Sequence, residues 1–155
     1  MANSSVVEDR HKSDLSFGLL GAHGGAGTTT VAAWLDADGI TDTIELGLGS
    51  HVPPNYTPIV VARSTAFGMR EAVHMIGRWH PQVPRPYLVV VRDAPLRLPR
   101  AVILRLTSVR PRLLGVVHVP YLARLRDADR PSQGLAHRSV QRAASQMRRD
   151  LGLHQ

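Results

Sequence analysis

The stretch Leu15-Ser16-Phe17-Gly18-Leu19-Leu20-Gly21-Ala22-His23-Gly24-Gly25-Ala26-Gly27-Thr28-Thr29-Thr30-Val31-Ala32-Ala33-Trp34-Leu35 decides the fold. It begins as a short apolar strand over Leu15 to Leu20, turns through Gly24, Gly25 and Gly27, and opens a helix on three threonines. Such a strand–loop–helix unit aims backbone N–H groups and the positive end of the helix dipole at one point, which suits a phosphate. Val31, Trp34 and Leu35 stand at i, i+3 and i+4, so a helix over Thr28 to Ala37 has one apolar face. Asp36, Asp38 and Gly39 stop it.

The same grammar continues outward from that unit. Asp42 to Leu48 reads as a short edge strand, and Gly49 to Pro58 as a loop in which Pro53, Pro54 and Pro58 withhold ladder donors. Pro58 to Arg63 is a second buried strand. Ser64-Thr65 then cap a helix whose Met69, Val73, Ile76 and Trp79 form a stripe at helical spacing. Tyr87 to Val91 is a third strand, turned by Asp93-Ala94-Pro95. Pro99 leads into a helix with Val102, Ile103, Leu106 and Val109 facing inward, and Leu113 to Val119 is a fourth strand ending at Pro120-Tyr121. Leu122 to Asp129 reads as a loop or short helix. A last helix over Gln133 to Leu151 turns Val140, Ala144, Met147 and Leu151 inward and Arg138, Arg142, Arg148 and Arg149 mainly outward. Apolar strands alternating with helices predict an α/β fold of three layers, a mostly parallel sheet with helices on both faces. Residues 15–155 form one such domain, with 1–14 a polar, flexible leader.

Composition narrows the function classes. Apolar content of 43% with 20% charged residues supports a packed core and argues against a disordered chain. No apolar run reaches the length of a membrane span. The absence of cysteine excludes disulfides, thiolate metal sites and cysteine nucleophiles, and a polar N-terminus without a signal-peptide core points to the cytoplasm. The eight histidines show neither an i, i+4 pair nor an HExxH spacing, and Gly47-Leu48-Gly49-Ser50-His51 is not a nucleophile elbow. A net charge of +7 raises nucleic acid as a partner. All but one of the 19 basic residues are arginine, however, and apart from Arg10 they are spread over Arg63 to Arg149 and not gathered in one block, which fits compositional bias as well.

The block from Ala22 to Thr30 resembles the deviant Walker A loop of the ParA/MinD class of P-loop ATPases, which reads G-K-G-G-x-G-K-T-T. The segment Ile59 to Arg78 is similar to the strand and helix that follow Walker B in that class, and Leu113 to Tyr121 to its late strand ending in I-P-Y/F. The resemblance implies a reduced P-loop NTPase-like domain with Gly24, Gly25, Ala26, Gly27, Thr28, Thr29 and Thr30 as the nucleotide-binding loop, and ATP with Mg²⁺ as cofactors. Thr29 falls where the class holds Mg²⁺ once nucleotide is bound, and Asp93 lies near where it reads adenine. The departures fall on the charged positions. Thr28 replaces the phosphate-reaching lysine, His23 the signature lysine used across the dimer, and Ala22 the first glycine; no strand before Ile59 ends in a Walker B aspartate. Arg63 and Arg92, at the carboxyl ends of strands, are the cations left near the loop. Losing such a lysine costs on the order of a hundredfold to a thousandfold in rate. The resemblance therefore implies a catalytically degenerate member, a binding or scaffolding accessory in a bacterial plasmid, phage or secretion-related system. Its partners would be another protein or a second copy of the chain, and no membrane. Two alternatives stay open: an atypical ATP-binding switch with weak or no hydrolysis, and a basic accessory that binds nucleic acid through its arginines.

Overall fold

The computed structural model describes residues 16–37, 39, 41–123 and 134–153. Five strands, β1 (Ser16–Gly21), β2 (Asp42–Leu46), β3 (Thr57–Arg63), β4 (Tyr87–Val91) and β5 (Gly115–Val119), form one sheet in the order β2-β1-β3-β4-β5. Every pairing is parallel. The helices are α1 (Thr28–Asp36), α2 (Ala66–Gly77), α3 (Arg100–Val109) and α4 (Arg138–Asp150), with a 3₁₀ turn over Arg110–Arg112. The α/β reading of three layers holds.

The register sets where a site can form. Glu45, Leu19, Ile59, Tyr87 and Gly115 lie in one row across the sheet. Two rows further on, β1 has ended at Gly21 while Val61 continues beside it; Arg63, Val91 and Val119 then close the next strands together. Three backbone bonds carry the ladder past these ends, from the N–H groups of Ala22, Ser64 and Arg92 to the carbonyls of Val61, Val91 and Val119. The glycine loop thus leaves from a strand shorter than its neighbour, and the ends of β3–β5 stand beyond it.

Both faces of the sheet are covered because β1, β3 and β4 are apolar on both. On one face Phe17, Leu19, Ile59, Val61, Val89 and Val117 meet Trp34 and Leu35 of α1 and Val140, Ala143, Ala144 and Met147 of α4. On the other, Val60, Ala62, Leu88 and Val90 meet Met69, Ala72 and Ile76 of α2 and Val102, Leu106 and Val109 of α3. Burying a single Leu, Ile or Met side chain contributes about 1.5–3 kcal/mol, so these two layers dominate the stabilising terms. β2 has no fully buried position: Asp42 and Glu45 are exposed and Thr43, Ile44 and Leu46 half-buried, as suits an edge strand.

Local chemistry fixes the helix ends. Thr65 caps α2, its hydroxyl accepting from the Gly68 N–H at 2.9 Å. Pro99 is the N-cap of α3, one position earlier than a first-turn proline. One inward assignment needs correction: Ile103 is 49% exposed. Val102, Leu106 and Val109 at i, i+4 and i+7 already fill the buried stripe of α3, and a residue 100° round the helix from Val102 falls outside it. In α4, Val140, Ala144, Met147 and the following Leu151 are buried while Arg138, Arg142 and Arg149 are exposed, as the spacing requires. Most of the stretch read as a loop or short helix over Leu122 to Asp129, and Gln133, lie outside the described residues.

Candidate functional site

The loop from Ala22 to Gly27 joins β1 to α1, and two of its glycines are needed for their backbone. Gly25 has φ +73 and Gly27 φ +99, a region that costs an L-residue free energy. Gly27 also lies against β4, where an added Cβ would come within 3.4 Å of the Val91 side chain. Gly27 is the N-cap of α1, and no side chain caps this helix; the first intrahelical bond is from Val31 N–H to the Gly27 carbonyl at 3.1 Å. The leading N–H groups of α1 are the donors that such a terminus offers to an anion.

Side chains complete the loop. His23 is half-buried; its Nε2 accepts from the Arg63 backbone N–H at 3.1 Å, so its Nδ1 carries the proton and donates to the Gly24 carbonyl at 2.9 Å. The ring stands edge-on to Phe67, 5.7 Å between centroids. Arg63 Nε donates to the Gly25 carbonyl at 2.6 Å. A cation does stand at the loop, then, but tied to a backbone oxygen. Thr28 is half-buried, and its hydroxyl sits over Gly21, only 2.8 Å from where a Cβ there would be.

Thr29 reaches Glu45. Its Oγ1 donates to Glu45 Oε1 at 2.9 Å, joining α1 to the edge strand β2. Where the resemblance calls for an acid at the end of a strand before Ile59, the structure has Glu45 inside β2, paired with the threonine that the resemblance assigns to Mg²⁺. The overlooked signal was the alternation of β2, which sends Thr43 and Glu45 to the same face of the sheet as Leu19. Among the described residues, no three His, Asp or Glu side chains gather as a metal-binding group.

Beyond the loop, a cavity of about 310 Å³ opens where β3–β5 end. Gly27, Thr30 and Trp34 form its α1 wall; Arg63, Arg92, Asp93 and Tyr121 bring polar groups to the other side. Asp93 is fixed there because its backbone N–H donates to the Ser64 hydroxyl at 2.9 Å. Openings beside the carboxyl ends of strands are where sheets of this order take ligands. His118 on β5 has its pKa lowered from 6.5 by partial burial and then by the positive charges of Arg92 and Arg110, against a smaller opposing pull from Asp150. A second hollow of about 480 Å³ lies on the other face, between α2 and the segment after β2, bordered by His51, His74 and His80.

The structure thus gathers Gly24, Gly25, Ala26, Gly27, Thr28, Thr29 and Thr30 into one loop and helix start, with Arg63 on the loop and Arg92 and Asp93 in the adjoining cavity. Family models, curated proteins and solved structures all return no match to this chain. Among the described residues no helix is long and apolar enough to cross a membrane.

Proposed function

We propose that this chain is a catalytically degenerate, ParA/MinD-like P-loop protein that works in the cytoplasm by binding and not by hydrolysis. The observation that carries the reading is the division within the glycine loop. Its backbone keeps the features that take an oxyanion: Gly25 and Gly27 at positive φ and an uncapped α1 terminus. Its charged chemistry is missing or already engaged, with Thr28 folded over Gly21 and Arg63 bonded to the Gly25 carbonyl.

ATP and Mg²⁺ fit this loop only in part. The α1 N–H groups would face phosphate oxygens, and the Thr29–Glu45 pair supplies oxygen ligands of the kind Mg²⁺ takes. Thr28 brings no charge where the phosphate-reaching lysine would stand, and Arg63 is held by the Gly25 carbonyl, so the electrostatic stabilisation on which phosphoryl transfer depends is not set up at the loop. No hydrolytic step is therefore assigned. The test is phosphate release from ATP with Mg²⁺, alongside thermal unfolding with and without ATP–Mg²⁺. Binding at one hundred times Kd stabilises by about 2.7 kcal/mol. The expected result is no hydrolysis above the buffer rate; turnover abolished by Thr29→Ala would refute the reading.

A further inference from the structure

The outward side of α3 lacks the mixed charge that a solvated helix face carries. Ile103 and Leu104 stand next to each other there, 49% and 60% exposed, and Leu114, just past the 3₁₀ turn that ends the helix, is 52% exposed. With Leu96 they make four of the six large apolar side chains exposed among the described residues, so they are not the singly scattered ones that any surface shows. The polar side chains beside them turn back on the helix. Thr107 Oγ1 donates to the Ile103 carbonyl at 3.0 Å and Ser108 Oγ to the Arg105 carbonyl at 2.7 Å, so neither hydroxyl proton is left for an outside acceptor. Arg105 donates to the Ala66 carbonyl of α2 at 2.6 Å.

The rim of this patch carries one sign of charge. No Asp or Glu occurs from Ala94 to Ala123, while Arg97, Arg100, Arg110 and Arg112 flank α3 at its two ends. All four are exposed. Among the described residues Arg97, Arg100 and Arg110 make no hydrogen bond or ion pair, and Arg112 makes only a 3.4 Å contact to the Gly77 carbonyl. The neighbouring acids are engaged elsewhere: Glu71 on α2 lies 3.7 Å from Arg70, and Asp93 borders the cavity at the strand ends.

We propose that the outer face of α3 docks an acidic amphipathic helix of a partner protein. The apolar stripe of that helix covers Ile103 and Leu104, and its carboxylates meet the arginines at the two ends. The ten residues of α3 offer about 15 Å of length, enough for some three turns of a partner helix. Charge decides among the occupants. A second copy on a two-fold axis would bring the same arginines against one another, and like charges facing across an interface cost affinity. A bilayer needs a broad apolar face, whereas Val102, Leu106 and Val109 are already packed on the sheet. The surface lies over the face of the sheet opposite to α1, so it stands whether or not the loop takes a nucleotide.

The test uses the full chain and two fluorescent synthetic peptides with leucine at i, i+3, i+4 and i+7, one filled in with glutamate and alanine, the other with glutamine and alanine. Anisotropy should show saturable binding of the glutamate peptide at a Kd of about 100 μM or tighter, and at least about tenfold weaker binding of the glutamine peptide. Ile103→Ser with Leu104→Ser alters only exposed positions, leaves the circular dichroism of the fold unchanged, and should weaken the glutamate peptide at least about tenfold. Arg100→Gln with Arg110→Gln should weaken it about as much and flatten the dependence of affinity on salt. Arg138→Gln with Arg142→Gln removes the same charge from α4, on the other face of the sheet, and should leave the affinity within about twofold. No saturable binding overturns the proposal, as does equal affinity for the two peptides or an α4 pair that costs as much as the α3 pair. Sedimentation showing a dimer that the Ile103 and Leu104 substitutions abolish would give the face to a second copy. Binding to vesicles of phosphatidylcholine and phosphatidylglycerol, lost in the same variant, would give it to a lipid surface. Either result overturns the proposal.

Discussion

Substituting alanine at Gly24, Gly25 and Gly27 separates what the glycine loop needs from what it merely contains. At Gly27 the backbone has φ +99, so a Cβ forces an L-residue into left-handed territory at a cost of about 1–2 kcal/mol. The new methyl also meets Val91 at 3.4 Å, at the edge of ordinary contact, which adds little if the valine yields. The total for Gly27→Ala is about 2 kcal/mol, within the range for residues held in sparsely populated backbone regions. Gly25 has φ +73 but open space around the added atom, so Gly25→Ala shows the backbone cost alone, about 1–2 kcal/mol. Gly24 has neither a positive φ nor an atom within 4 Å of the added Cβ. Gly24→Ala should fall within about 0.5 kcal/mol of the parent, with a slight gain from reduced freedom in the unfolded chain. Urea unfolding reads the series: at about 2 kcal/mol per molar urea, Gly27→Ala moves the midpoint down by about 1 M. A Gly24→Ala loss as large as that of Gly27→Ala would refute the reasoning, because the two would then differ in neither backbone nor contact.

Other perturbations test other parts of the molecule. Thr65→Ala removes the hydroxyl that accepts from the Gly68 N–H and should cost about 1 kcal/mol in chemical denaturation. Met147→Ala empties a position buried between α4 and the sheet and should cost about 2–5 kcal/mol, measured the same way. His118 has a folded pKa below the 6.5 of the unfolded chain, so the unfolded state binds more protons between the two values. Stability is then fully present above pH 6.5 and falls as pH drops through 6.5 towards the folded pKa. His118→Gln should flatten that part of a stability–pH curve; an unchanged slope would remove His118 as its source.

Most of the architecture was legible because it rests on patterns that no tertiary contact reverses. The runs at Leu19-Leu20, Ile59 to Ala62 and Leu88 to Val90 are too continuous to face water, and each is a buried strand. Ile103 failed for a reason of degree: an apolar residue one position from the buried stripe satisfies a spacing rule loosely, and only the set of the helix on the sheet excludes it. The loop was legible in its glycines but not in its side-chain partners. Contacts such as Thr29–Glu45 and Arg63–Gly25 span 16 and 38 positions, and local spacing carries no information about pairs that distant. The cavity was further from view. Trp34 registered as one apolar residue of an amphipathic face, and it borders a cavity only once α1 is set against the ends of β3–β5.

The placement of α4 carries a consequence for how the chain acquires its structure during synthesis. The layer over Phe17, Leu19 and Trp34 is shared between α1, made early, and α4, which spans Arg138–Asp150. The face covered by α2 and α3 is complete once Val109 and Leu113 have emerged, so half the molecule can settle while translation continues. The other half cannot. Until Arg138–Asp150 have left the ribosome, with synthesis running at about 5–20 residues per second, Trp34 and its sheet neighbours lack the cover of α4. A premature stop before Arg138 leaves that apolar surface bare, and a nascent chain stalled there becomes a client for chaperones.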